Sequence, residues 1–204
     1  MKPTLIVIAG PNGAGKTTVT MRLREDHWSE GVEYLNPDDI AQQRFGDWNS
    51  HNAIVQAANW TEERREELLR QNQSMAFETV LSGTDKLAFV ARAIEAGYFV
   101  RAFFVGTADP TINAARVAQR YMNGGHTVPI EKIVKRYSGS IANLRVLIAL
   151  AHRTYVFDNS IDGQEAHICA RTIDGQLRKS YGQMPIWAAS ALSNIPQHPD
   201  FQAL

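Results

Sequence analysis

The chain has 204 residues, 21 Lys and Arg against 21 Asp and Glu, 44% hydrophobic and 21% charged content, and a single cysteine, Cys169. This length suits one well-buried domain, and the balance excludes disorder, a fibrous repeat and a strongly basic nucleic-acid binder. One cysteine excludes an internal disulfide framework and zinc sites built from several thiolates, so a reducing, cytoplasmic setting is expected.

The first apolar run, Leu5 to Ala9, is rich in β-branched residues and reads as a strand buried on both faces. It is too short for a signal-peptide core or a membrane span. Gly10-Pro11-Asn12-Gly13-Ala14-Gly15-Lys16-Thr17 follows, matching G-x-x-x-x-G-K-[ST] between a strand and a helix, the context that confirms the phosphate-loop motif. Gly13 and Gly15 let the backbone curl so that its N–H groups face phosphate oxygens, and the helix N-terminus adds a favourable dipole. Lys16 neutralises β- and γ-phosphate charge and the Thr17 hydroxyl ligates Mg²⁺. The expected nucleotide contacts are Gly10, Asn12, Gly13, Ala14, Gly15, Lys16, Thr17 and Thr18, with ATP and Mg²⁺ as cofactors.

Thr17 to Glu25 reads as a helix and Val32 to Leu35 as a second strand ending in Asn36-Pro37-Asp38-Asp39, where Asp38 or Asp39 is expected to cap a helix from near Ile40. Asn52 to Gln73 is helical, its EERREE run at Glu62 to Glu67 reading as a solvated face. Ser74 to Glu78 is a third strand. Lys86 to Ala96 is a helix with Thr84 as its N-cap and Gly97 closing it, and Tyr98 to Val105 is a fourth strand.

Pro110 to Met122 is the next helix, with Arg116 and Arg120 one turn apart on one face and no carboxylate nearby in sequence to pair them. Gly124 and Gly125 end it and suit a hinge. Between Arg101 and Arg153 there are eight Lys or Arg against two acids, a local excess that fits a compact polyanion such as a nucleotide. Pro129 opens a long helix to about His152. Its apolar arc is expected to be Ile133, Val134, Tyr137, Ile141, Leu144 and Ile148, beside a polar stripe of Arg136, Ser140 and Asn143 bordering the substrate cleft. Thr154 to Asp158 is a fifth strand. Ala166 to Ala170 and the residues around Ile173 suggest a short hairpin, and the chain beyond Pro185 reads as a docked or frayed tail.

This alternation predicts an α/β, P-loop NTPase/kinase-like three-layer fold, with a parallel five-stranded sheet and helices on both faces. The expected organisation is a kinase core over 1–160 with a lid at about 121–130, and a C-terminal hairpin and tail over 161–204 packed on the same domain. The guanine-reading motif N-K-x-D is missing from the sequence, as is an apolar strand ending in Asp-Glu, so neither a GTPase nor an AAA-type or helicase ATPase is indicated. A small-molecule kinase needs a phosphate loop, a carboxylate near the acceptor hydroxyl and mobile arginines, and all three are present. Asp38 follows strand two and is the candidate general base, with Asp39 competing. Glu78 ends strand three and is expected to bind substrate or hold Mg²⁺ through water. Ligands of doubly wound sheets lie beyond the carboxyl ends of strands, which adds Asn36 and Thr79 to the substrate side, with Arg136 and Ser140.

The blocks GPNGAGKTT, NPDDIA, FETVLSG, RVAQRYMNGGHTVP and KRYSGSIANL, in this order over roughly residues 4 to 158, resemble the zeta toxin family of P-loop kinases. The resemblance implies an ATP- and Mg²⁺-dependent kinase that phosphorylates a sugar hydroxyl of UDP-N-acetylglucosamine, often restrained by a small antitoxin. It implies Lys16 and Thr17 as phosphate-loop residues, Asp38 as catalytic base, Glu78 as a substrate-site acid and Arg120 as a catalytic arginine. His126 stands where the best-known members carry a second lid arginine. The expectation is a lid whose closure carries Arg120, with His126, against the triphosphate. Two other readings stay open: a kinase for a different acceptor, such as a nucleoside, an antibiotic hydroxyl or a polynucleotide end, and an ATP-binding regulatory switch.

Overall fold

A computed structural model describes residues 2–25, 30–45, 50–122 and 128–204, without the side chains of 24 and 25. Strand β1 (Thr4–Ala9) is the buried apolar run read from the sequence, with Leu5, Val7 and Ala9 fully inaccessible. It pairs in parallel with β3 (Met75–Thr79) on one side and β4 (Phe99–Gly106) on the other. Strand β2 (Glu33–Leu35) adds to β3 and β5 (Arg153–Asp158) to β4, both in parallel. The order β2-β3-β1-β4-β5 is that of a doubly wound sheet, and it aligns the carboxyl ends of β1, β2 and β3 along one edge.

The sheet does not stop at five strands. β6 (His167–Ile173) pairs antiparallel with β5, β7 (Gln176–Ser180) with β6, and β8 (Gln197–Ala203) runs parallel to β7, giving eight strands among the described residues. The expected hairpin therefore extends the main sheet. Nor is the tail frayed. Helix α7 (Ile186–Leu192) buries Trp187, Ala188, Ala191 and Leu192, and the Trp187 indole N–H donates to Asp158 Oδ1 at 2.6 Å. A tryptophan is large enough to anchor a seven-residue helix that is too short to be stable by itself.

Most of the core lies on one face of the sheet, between Leu5, Val7, Phe77 and Phe104 and helices α3 (His51–Arg70), α4 (Asp85–Glu95), α6 (Ile130–Leu150) and α7. Ser50 caps α3, its Oγ accepting from the Ala53 N–H at 3.0 Å. Thr84 occupies the N-cap position of α4 without a side-chain cap bond. The EERREE run is not simply solvated: Arg65 is 5% exposed, its guanidinium over the rings of Phe77 and Phe89, while Arg64 bridges Glu33 and Glu67. The opposite face carries a smaller apolar cluster around Ile6, Ile8, Phe103 and Tyr155, against which Leu23 of helix α1 (Lys16–Glu25) packs. Helix α2 (Pro37–Phe45) follows β2, and α5 (Pro110–Met122) follows β4. Among the described residues, no helix is long and apolar enough to cross a membrane.

Candidate active site

The loop from Gly10 to Gly15 joins β1 to α1, and side chains from distant parts of the chain brace it. Asn113 on α5 donates to the Asn12 carbonyl at 2.6 Å, Asn159 after β5 donates to the Ala14 carbonyl at 2.8 Å, and Arg136 on α6 reaches Asn12 Oδ1 at 3.4 Å. This packing gives Gly13 and Gly15 a reason beyond their positive φ of 74° and 90°. A Cβ on Gly13 would fall 2.6 Å from the Asn113 carbonyl oxygen, and one on Gly15 would meet Asn159 Nδ2. Asn113 and Asn159 were not legible as functional from the sequence, since a single asparagine carries no spacing signal.

The Lys16 ammonium folds back to donate to the carbonyls of Gly10 and Pro11, at 2.9 and 3.1 Å. Burial lowers its pKa to about 8. Glu78 and Asp38 pull it up, and nearby Arg120 pushes it further down. This cation is poised to leave weak carbonyl acceptors for an anion.

Asp38 sits in the first turn of α2. The cap of that helix is Asn36, whose Oδ1 accepts from the Asp38 N–H at 3.0 Å and whose carbonyl accepts from Ile40 at 3.1 Å. The expected capping by Asp38 or Asp39 is thereby corrected: Pro37 supplies the preset φ of a first helical residue, which starts α2 earlier and hands the cap to Asn36. The exposed Asp38 carboxylate is left for the cleft.

Glu78 is held by two donors on one oxygen. Thr20 on α1 and Tyr34 on β2 both donate to its Oε1, at 2.6 and 2.7 Å. Oε2 accepts no bond from the described residues, and Glu78 lines the cleft together with Thr17. Burial, and then the adjoining carboxylate, raise the Tyr34 pKa, so the phenol stays a donor at any ordinary pH. These oxygens fit Mg²⁺, which binds through one or two protein oxygens, waters and phosphates rather than through a dedicated cage. Among the described residues there is no group of three or more His, Cys, Asp or Glu that would make such a cage.

Lys16, Thr17, Asp38, Glu78, Arg116 and Arg120 line one cleft of about 440 Å³, joined by Asn12, Gly13, Gly15, Asn36 and Thr79. The two arginines of α5 differ within it. Arg120 is exposed and makes no ion pair among the described residues. Arg116 is already engaged: Nε and Nη2 donate to Asp162 Oδ1 at 2.8 and 2.5 Å, and Nη1 to the Asn159 carbonyl at 2.8 Å. The carboxylate absent from its sequence neighbourhood is supplied from 46 residues away.

Several expected contacts lie outside the cleft. Ala14 is buried, Thr18 is exposed on α1, and the Gly10 N–H is taken by the Thr79 carbonyl at 3.2 Å. Ser140 is fully buried and cannot border a substrate cleft. The core-facing arc of α6 runs through Ile133, Ser140, Leu144, Leu147 and Ile148, leaving Val134 exposed at 42%, and the chain at Ser82 packs close over the adjacent Gly139. Asn143 is spent on the Leu81 and Gly83 carbonyls. His126, Gly124 and Gly125 lie outside the described residues.

A zeta toxin family model matches residues 1–164. An uncharacterized protein of Haemophilus influenzae is 27% identical over 137 residues, 67% of this chain and 94% of that protein. Among solved structures, a chain of the AvrRxo1-ORF1:AvrRxo1-ORF2 complex with sulphate ions superposes with a TM-score of 0.67 at 18% identity, covering 96% of this chain. The chain spans 64% of the length of that AvrRxo1 chain. A chain from the PezAT chromosomal toxin-antitoxin system of Streptococcus pneumoniae gives 0.59 at 18% identity, covering 81% of this chain and 70% of that one. At such identities the structural likeness speaks for the fold, and the fold is the P-loop kinase-like α/β architecture.

Proposed function

This chain belongs to the zeta toxin family, and from that premise we propose that it transfers the γ-phosphoryl group of ATP to a hydroxyl of a small acceptor, a nucleotide sugar such as UDP-N-acetylglucosamine. The observation that carries the reading is the single cleft gathering Lys16, Thr17, Asp38, Glu78 and Arg120. ATP with Mg²⁺ supplies the activated phosphoryl group, and the residues do the rest. Backbone N–H groups of the loop and the Lys16 ammonium hold the phosphates. Thr17, with Glu78 Oε2 through water, would hold Mg²⁺. Asp38 takes the proton of the acceptor hydroxyl as its oxygen bonds to phosphorus and the bond to the β,γ-bridging oxygen breaks, releasing ADP. Arg120 meets the charge spread over the transferring group.

In this reading residues 1–160 are the transferase core and 161–204 extend its sheet. The stretch around 121–130 serves as the lid and carries His126. Asn36, Thr79 and Arg136 flank the acceptor. A small antitoxin is the proposed partner. The test is incubation of the purified protein with γ-labelled ATP, Mg²⁺ and a panel of sugar nucleotides, nucleosides and RNA ends. Label on the nucleotide sugar is expected. Label on another acceptor would replace the substrate, and ATP binding without transfer to any acceptor would replace the enzyme with a switch.

A further inference from the structure

Helix α7 lies beyond residue 164, where the family match ends, yet it reaches the strands that brace the phosphate loop. Its last carbonyls are held from α6: Arg145 Nε donates to the Ala191 carbonyl and Nη2 to that of Ser190, both at 2.8 Å. Tied there, α7 delivers Trp187 to the carboxyl ends of β4 and β5. The indole packs so close to Gly106 that a Cβ at that position would collide with it, and its ring centroid lies 6.2 Å from that of Phe104. Gly106 in turn accepts from the Asn159 N–H at 2.9 Å.

The indole N–H meets a partner that anchoring does not require. Asp158 is 4% exposed and makes no ion pair among the described residues; its Oδ1 accepts from Trp187 at 2.6 Å and from the Ser160 hydroxyl at 2.5 Å. Burying a carboxylate without a cation is unfavourable, and the burial of the tryptophan ring does not call for it. What the carboxylate does is fix a turn. Ser160 Oγ also accepts from the Ala108 N–H at 2.8 Å, which ties residues 158–160 to the chain just after β4. Asn159 stands between the two residues so held, and its Nδ2 reaches the Ala14 carbonyl at 2.8 Å. That amide has no slack, because a Cβ on Gly15 would already collide with it. A run of direct bonds therefore leads from α7 to the phosphate loop: Trp187 to Asp158, along one peptide to Asn159, and on to Ala14.

We propose that Trp187 is a positioning residue for nucleotide binding, its indole N–H setting through Asp158 the turn from which Asn159 holds the phosphate loop. The inference rests on that loop's being the ATP site. Helix α7 then contributes to ATP affinity although it lines no part of the cleft.

The test is ATP affinity by calorimetry, without acceptor, for Trp187→Phe crossed with Asn159→Ala. Phenylalanine keeps an aromatic ring in place and removes the donor. Trp187→Phe should weaken ATP binding by roughly 3- to 30-fold, the range for substitutions along a coupled network, and should raise KM for ATP more than it lowers kcat. With Asn159→Ala already present, the same substitution should change affinity by less than about twofold, because the link is cut. A helix anchor alone would lower Tm in both backgrounds and leave ATP affinity where it was. Should Trp187→Phe fail to fold, the Trp187 indole N–H resonance answers by NMR without a change at that residue: it should move when ATP is added to the wild-type chain and stay in place in Asn159→Ala saturated with ATP. Unchanged affinity in Trp187→Phe, an equal loss in both backgrounds, or a resonance indifferent to ATP overturns this inference and leaves the proposed function standing. A wild-type chain that binds no ATP overturns both.

Discussion

Asn159, just after β5 and two strands away from β1, holds the phosphate loop, its Nδ2 donating to the carbonyl of Ala14 at 2.8 Å. The same side chain packs against Gly15, and its own carbonyl receives Arg116. One residue after β5 thus fixes the peptide plane ahead of Gly15 and Lys16, and with it the direction of the N–H groups that would meet phosphate. Asn159→Ala leaves a part-buried carbonyl without its donor, a loss of about 1 to 3 kcal/mol. The expected outcome is ATP binding weakened by roughly 5- to 100-fold, measured by calorimetry, with turnover at saturating ATP changed less. Equal ATP affinity in the variant would show the loop to be self-supporting.

Asp38→Asn isolates the proton-accepting role, because Asn36 already caps α2 and the Asp38 side chain makes no hydrogen bond or ion pair among the described residues. Turnover should fall by roughly 10² to 10⁴ while Tm moves little. Thermal denaturation beside single-turnover transfer checks both. A variant that unfolds would return Asp38 to a structural role.

How far the sequence disclosed this architecture follows from the range of each signal. β1, the phosphate loop and the helix after it were legible because strand pattern, glycines and Lys16 are contiguous. Glu78 was legible as a charge ending an apolar strand, yet its holder Tyr34 was not, because the Tyr34–Glu78 contact spans 44 residues. Arg116 read as unpaired for the same reason, its partner Asp162 coming through the fold. Ser140 misled because an i, i+4, i+7 stripe looks alike from either side of a helix, and only the packing of the fold decides which side is buried. The hairpin of β6 and β7 was legible, but β8 was not, because Pro196 before it and Pro199 within it make an edge strand resemble a loop.

Arg120 and Arg116 should separate in kinetics. Arg120 faces the cleft without an ion pair among the described residues, so Arg120→Ala is expected to lower turnover by about 10³ or more with a far smaller effect on ATP binding. Arg116 ties α5 to the Asn159–Asp162 turn. Arg116→Ala and Asp162→Ala should therefore each lower Tm, and the double variant should fall short of their sum. Strictly additive losses would mean that the pair is not coupled.

Tyr34→Phe tests the grip on Glu78. Thr20 alone would then donate to Oε1, and the carboxylate would be held by one donor in place of two. Loss of one hydrogen bond to a charged group amounts to about 1.5 to 3 kcal/mol. The expected result is a requirement for roughly tenfold or more Mg²⁺ at half-maximal turnover, with binding of metal-free ATP unaltered. An unchanged Mg²⁺ dependence would place Glu78 on the acceptor alone.

Lys16 gives the pH dependence. Its folded pKa, about 8, lies below the ordinary lysine value of 10.5 because burial penalises the charged form. Between these two values the unfolded chain binds more protons than the folded one. On this group's account the ligand-free protein therefore gains stability as pH rises from 8 to 10.5, and pays the full desolvation cost of the ammonium below 8. Nucleotide binding runs the other way: the triphosphate needs the charged ammonium, so ATP affinity should fall as pH rises through about 8. Lys16→Met should abolish this group's share of the stability gain between pH 8 and 10.5 in urea titrations, and should also weaken ATP binding at pH 7. The two slopes have opposite signs in the wild-type chain, and both trace to one buried cation. Parallel slopes, or an ATP affinity level between pH 7 and 9, would place the titrating group elsewhere in the cleft.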